Sequence, residues 1–196
     1  MRVVAGSLRG RRIEPPPDDR ARPTSDRVRE ALFNALASMD AVDGATVIDL
    51  FAGTGALGIE ALSRGSAHAT FVEQDGRMVD LLRRNLATLD LVPQSTVLAC
   101  TAERALDEWR SAGQDFDLAL LDPPYAFDGW TELLDRLPAP LAVIESDRPP
   151  GFGDRWGVAR QKQYGGTLVT IVQRSEHAAH HPPTEQGRTP QRRGEQ

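Results

Sequence analysis

Cysteine is almost missing from this chain of 196 residues: only Cys100 occurs, so no internal disulfide can form and a reducing compartment is expected. Lysine also occurs once, as Lys162, so nearly all the positive charge is arginine. No apolar run approaches the ~18 residues of a membrane span. Arg2 is not followed by the apolar stretch of a signal peptide. No Walker lysine follows a glycine loop, which excludes a P-loop, and there is no internal repeat. These absences lead to the expectation of a soluble, cytoplasmic protein without a membrane partner. A hydrophobic fraction of 40% suffices for a core, and the length suits one domain with appendages.

The net charge of −5 argues at first against a nucleic-acid partner, but the charge is unevenly placed. Residues 1–29 carry eight arginines (Arg2, Arg9, Arg11, Arg12, Arg20, Arg22, Arg27, Arg29) against Glu14, Asp18, Asp19 and Asp26, so this segment is +4 and the remainder −9. A basic prefix on an acidic body points to local phosphate contacts. The competing explanation is a merely Arg-rich composition.

Residues 2–5 and 11–14 are short extended candidates joined by Gly6-Ser7-Leu8-Arg9-Gly10, which suggests a small basic hairpin. Pro15-Pro16-Pro17 then forces an extended linker. Val28, Ala31, Leu32, Ala35, Leu36 and Met39 recur at helical spacing, so a helix is expected over about residues 26–39, capped by Thr24 or Ser25. From residue 45 strands and helices alternate. Strands are expected near 46–51, 69–73, 95–99, 117–121 and 141–145, and a closing hairpin turns at Tyr164-Gly165-Gly166. The expected organisation is an N-terminal extension over residues 1–40, an α/β domain over 41–174 and a tail over 175–196. That tail has no apolar residue larger than Ala and cannot bury enough surface to order itself. Its His177, His180 and His181 lack partner Cys or carboxylates, so no metal site is expected.

Two stretches carry chemistry. Gly53-x-Gly55-x-x-Gly58 follows a strand and precedes a helix, and Glu73 lies 20 residues beyond Gly53. Glycines permit a tight turn and close approach of a ligand, and the acid can accept two hydrogen bonds from a ribose diol. Both features suit NAD and S-adenosylmethionine alike. Asp49 favours the second: beside the turn it would repel a pyrophosphate, yet it suits an ammonium and a sulfonium. The other stretch is Asp122-Pro123-Pro124-Tyr125, after the buried run ending at Leu121. Two prolines stop the strand and fix the backbone. A carboxylate, rigid carbonyl acceptors and an aromatic face there suit a planar ring bearing an amine.

Together, Asp49-Leu-Phe51-Ala-Gly53-Thr54-Gly55 and Asp122-Pro-Pro-Tyr125 resemble motifs I and IV of class I S-adenosylmethionine-dependent amino-methyltransferases. Arg22-Pro-Thr-Ser-Asp-Arg-Val-Arg-Glu-Ala-Leu-Phe-Asn34 is similar to the N-terminal signature of the RsmD family, which methylates guanine N2 in bacterial 16S ribosomal RNA. Met1-Arg-Val-Val-Ala-Gly6, Arg9-Gly10-Arg11, Ala61-Leu-Ser-Arg-Gly65 and Asn85-Leu86 are similar too. The resemblance spans about residues 1–173 and implies a Rossmann-like seven-stranded sheet with an antiparallel final strand. It implies that Asp49, Phe51, Gly53, Thr54 and Gly55 hold the methionine end of the cofactor, and that Glu73 and Gln74 lie at the ribose. Thr101 and Ala102 would meet the adenine, although many relatives have Asp or Ser where Thr101 stands. Asp122, Pro123, Pro124 and Tyr125 would form the catalytic site, with Asp122 also beside the cofactor. Arg2, Arg9, Arg11, Arg12, Arg22 and Arg27 would contact RNA. The implied partner is 16S rRNA, free or in small-subunit assembly; the protein would act as a monomer with no obligate protein partner. Rival readings are an adenine-N6 DNA methyltransferase, an NAD oxidoreductase, and a non-catalytic RNA-binding protein on the same fold.

Overall fold

A computed structural model describes residues 1–16, 26–124 and 126–175. Helix α1 (Asp26–Ala37) buries Val28, Leu32, Phe33 and Leu36 on one face, as its spacing predicts. Alternation then follows: β1 (Thr46–Leu50), α2 (Ala56–Ser63), β2 (His68–Glu73), α3 (Gly76–Thr88), β3 (Ser95–Ala99), α4 (Ala102–Ala112), β4 (Leu118–Leu121), α5 (Trp130–Arg136) and β5 (Leu141–Ser146). Strands β6 (Trp156–Tyr164) and β7 (Thr167–Arg174) close the sheet. Gly165, at φ 58°, supplies the left-handed backbone that a two-residue hairpin loop needs. The expected caps Thr24 and Ser25, the linker from residue 17 and the tail beyond residue 175 lie outside the described residues.

The strand order is β3-β2-β1-β4-β5-β7-β6. β1 to β5 run parallel, and β7 is antiparallel to both of its neighbours. The reversed strand therefore sits inside the sheet, with β6 at the edge. Residues alternate between two cores. Ile48, Leu50, Leu121 and Ile144 pack with Trp109 of α4 and Trp130 of α5. Val47, Leu120 and Val143 pack on the other face with α1. The order reverses direction between β1 and β4, which opens a crevice at their C-terminal ends, where open α/β sheets bind ligands.

The N-terminal segment forms one antiparallel bridge, Arg2 to Arg12, in place of the two extended strands its sequence suggests. Val3 and Ile13 are sealed into a cluster with Ile59 of α2, Phe71 of β2 and Leu82 of α3. A buried carboxylate holds the segment down. Glu60 of α2 accepts hydrogen bonds from the amides of Val4 (2.8 Å) and Ala5 (3.0 Å). It also pairs with Arg64 (2.7 Å) and with Arg29 of α1 (3.5 Å). Arg29 further donates to Asp26 (2.8 Å) and to the Arg2 carbonyl. Its side chain is fully buried, so one arginine of the basic prefix is internal structure and offers no charge to a partner.

Breaking a buried pair by removing one partner typically costs ~3–5 kcal/mol. Arg29→Ala is therefore expected to lower unfolding free energy by about that amount in urea titration. Arg84→Ala, which breaks an exposed pair with Glu14, is expected to cost under about 1 kcal/mol.

Candidate active site

The last level shared by all seven strands runs Leu98, Val72, Leu50, Leu121, Ile144, Thr170 and Gln161. One residue further along the parallel strands stand Glu73, Phe51, Asp122 and Glu145. Three acids thus line neighbouring strand ends at the crevice, with Asp49 one pleat below on the same face as Asp122.

The glycine loop is built for close packing. Phe51 (φ 68°), Gly53 (φ 54°) and Gly55 (φ 83°) take left-handed backbone, so the chain doubles back directly after β1. A Cβ on Gly55 would stand 2.4 Å from Leu82 Cδ1, and one on Gly58 2.3 Å from the Phe71 ring. The missing side chains let α2 lie on β2, close enough for the Gly58 amide to donate to Asp49 Oδ2 at 2.9 Å. Glu73 completes the loop by accepting from the Gly53 amide (2.8 Å) and the Asp75 amide (2.8 Å). Its two oxygens keep further lone pairs for a diol. Gly53 itself faces open space: a Cβ added there would meet nothing nearer than Met78 Cε at 3.9 Å.

Thr54 is buried, and its carbonyl accepts from Asn85 Nδ2 of α3 (3.0 Å). Asn85 also accepts from the Glu14 amide (2.8 Å) and donates to the Glu14 carbonyl (3.2 Å). One amide side chain thus ties the N-terminal segment to the glycine loop. Beyond its place in a resembling dipeptide, the sequence reading assigned Asn85 no role. The available signal was a polar residue on the apolar face that Val79, Leu82, Leu86 and Leu89 mark out.

On the other side of the crevice Pro123 is buried, Asp122 half-buried and Pro124 exposed. The Pro124 carbonyl accepts from the Phe127 amide (2.9 Å), which curls the loop. The Phe127 ring meets Phe51 edge-on at 5.5 Å and Trp130 at 4.9 Å. This aromatic chain braces the glycine loop against the segment after β4, and sequence reasoning passed over Phe127. Tyr125 and Arg22 lie outside the described residues. Gln74 is exposed after β2. Thr101 caps α4 by accepting from the Arg104 amide (3.3 Å), and Ala102 is buried behind it. Arg9, Arg12 and Arg27 are exposed. Arg2 donates to the Gly10 carbonyl (2.8 Å) and Arg11 to the Thr88 carbonyl (2.6 Å), so both are partly engaged by the protein itself.

The family model described as "Conserved hypothetical protein 95" matches residues 1–173. The chain belongs to the RsmD family. Within it, the Escherichia coli K12 protein named Ribosomal RNA small subunit methyltransferase D is 34% identical over 188 residues, covering 89% of this chain and 90% of that one. The Haemophilus influenzae protein of the same name is 32% identical over 182 residues, covering 88% and 93%. The solved structure of a hypothetical protein from Thermus thermophilus is 31% identical, with a TM-score of 0.77 over 88% of this chain and 99% of that one. The sheet order and the flanking helices are those of the class I methyltransferases.

Electrostatics distinguishes this RsmD-family crevice from a neutral pocket. Burial pushes the Asp49 carboxyl up to about 7, against its Gly58 hydrogen bond, and the nearby charges of Asp122 and Glu73 add to the rise. Below about pH 7 the native state holds a proton that the unfolded chain releases near 3.8. This group's contribution to stability therefore falls as pH rises from about 4 to about 7, then levels off. Asp49→Asn removes the ionisation while keeping an acceptor for Gly58. The Asn variant is expected to gain stability relative to wild type across that window and hold a constant difference above it, as read by urea midpoints over pH.

Proposed function

We propose that the chain transfers a methyl group from S-adenosylmethionine to the exocyclic N2 amine of a guanine in small-subunit ribosomal RNA. The observation that carries this reading is the position of Asp122-Pro123-Pro124 at the end of β4, directly across from the glycine loop that ends β1. The names of the RsmD-family relatives support an rRNA substrate and the choice of the small subunit.

The residues present fit the cofactor. Asp49, Glu73 and Asp122 concentrate negative charge in one crevice, and mutual repulsion already raises Asp49. A pyrophosphate would worsen that repulsion, whereas a cation relieves it. Glu73 suits the ribose diol, Asp49 and the turn from Gly53 to Gly55 the amino-acid end, and Thr101 with Ala102 the adenine. When bound, S-adenosylmethionine supplies an electrophilic methyl group on a sulfonium. A cationic ligand favours the ionised form of Asp49, so binding near neutral pH releases a proton.

Guanine N2 is a weak nucleophile because its lone pair is delocalised into the ring. The Asp122 carboxylate and the Pro123 carbonyl accept from the amine and favour a pyramidal nitrogen. Fixing that orientation makes the transfer effectively unimolecular, worth up to ~7–11 kcal/mol. The same acceptors stabilise the positive charge that grows on nitrogen. Asp122 takes the departing proton or passes it to water. Tyr125, next in the motif, would stack on the base at ~1–3 kcal/mol. An amine within a helix stack cannot reach the crevice, so the target base is flipped or already unstacked. Arg9, Arg12 and Arg27, with Arg2, Arg11 and Arg22, supply phosphate contacts.

Loss of a preorganised polar partner for developing charge costs roughly 10²–10³ in rate. Asp122→Ala is expected to lose at least that much methyl transfer to rRNA while still binding cofactor by calorimetry; wild-type turnover would remove Asp122 from the chemistry. Arg9→Ala with Arg12→Ala is expected to weaken RNA binding and shallow its log–log salt slope by roughly one unit for each phosphate no longer neutralised. An unchanged slope would take these arginines out of the interface.

A further inference from the structure

Strand β5 ends in a way that sheet packing alone does not require. Ala142, Val143 and Ile144 are sealed in the two cores, as expected of an interior strand. Then come Glu145 and Ser146, only 4% and 6% exposed. The Glu145 carboxylate stands at the strand end that borders the crevice.

Its place relative to Asp122 is set by register. Leu121 pairs with Ile144, so Asp122 and Glu145 are the next residues on adjacent parallel strands, with backbones ~4.8 Å apart. They share a face. Leu120 and Val143, one pleat below, belong to the cluster on the α1 side, and Leu121 and Ile144 to the opposite cluster. β5 lies on the far side of β4 from the glycine loop. Glu145 therefore belongs to the acceptor half of the crevice.

We propose that Glu145 selects guanine, accepting hydrogen bonds from N1–H and from one N2–H while Asp122 and the Pro123 carbonyl take the other N2 hydrogen. This rests on the guanine-N2 reading above. Guanine presents these two donors side by side, and a carboxylate with two acceptor oxygens matches them. Adenine offers an acceptor at N1 beside its amine, and an ionised carboxylate has no hydrogen to give it. The motif after β4 recognises an amine on either purine; its neighbour on β5 distinguishes them.

The test uses 2-aminopurine, which keeps the C2 amine but carries an acceptor at N1. The target nucleotide is first mapped by mass spectrometry of the wild-type product. Small-subunit RNA or reconstituted particles then carry guanine or 2-aminopurine at that position. Wild type is expected to favour guanine roughly ten- to a hundredfold in kcat/KM. Glu145→Gln is expected to lose or reverse that preference, because the Gln amide can donate to N1 of 2-aminopurine, with the variant folded by circular dichroism and cofactor affinity unchanged. Wild type that methylates both bases equally overturns the assignment without any variant. So does a folded, cofactor-binding E145Q that keeps the full preference for guanine. A wild-type product other than N2-methylguanine removes the parent reading and this one together, whereas N2-methylguanine with intact discrimination in E145Q removes this one alone.

Discussion

The Asp49 carboxylate is kept out of water at the end of the central strand, and much of the surrounding architecture follows from keeping it there. One amide, that of Gly58, holds it within hydrogen-bonding distance. For that amide to arrive, α2 has to descend onto β2, so its third residue, Gly58, faces the Phe71 ring with no side chain of its own. The loop has to reverse within five residues, which puts Phe51, Gly53 and Gly55 in left-handed backbone. Phe51 accepts this cost without a glycine because its ring is held by Phe127. The charge itself is left undercompensated, since Glu73 and Asp122 raise rather than relieve it. A cation placed among these carboxylates would relieve that repulsion.

A second buried acid, Glu60, performs a different task. It draws two backbone amides and two arginines onto α2, and so fastens the first five residues and α1 to the body of the domain. The prefix is consequently less of a free arm than its charge suggests. Asn85 joins the same segment to the carbonyl of Thr54 in the glycine loop. The N-terminal segment and the glycine loop therefore rest on common supports.

The sheet was legible from periodicity because its strands are short, nearly pure apolar runs separated by amphipathic helices. Strand bounds agree within one or two residues for β1 to β5, and the Gly165-Gly166 turn announced the closing hairpin. The placement of Asp49, Gly53, Gly55 and Asp122 at one crevice was legible because its signals are local: an acid, a turn and a proline pair each lie within a few residues of a strand end. What escaped was non-local. Arg29 reads as surface charge until its partner Glu60, thirty-one positions away, is known. Phe127 reads as one more loop aromatic until Phe51 is placed beside it. Glu145 reads as the polar end of a strand until the register sets it against Asp122. Thr101 reads as a ligand contact until its hydroxyl is seen to cap the helix it begins.

The order of strands divides the acids by place. Glu73 and Asp49 stand on β2 and β1, with the glycine loop; Asp122 and Glu145 stand on β4 and β5, beyond it. Methyl transfer to an aromatic amine demands little basicity, since the amine becomes strongly acidic once methylated. Demand falls instead on acceptors that orient hydrogens and tolerate growing positive charge. In the proposed reaction, the Asp122 carboxylate and the Pro123 carbonyl would meet that demand. The one histidine among the described residues, His68, begins β2 at the opposite end of the sheet, where it bonds Thr96. Acceptors at the end of β4 would suit a nucleophile whose difficulty is geometry rather than proton affinity.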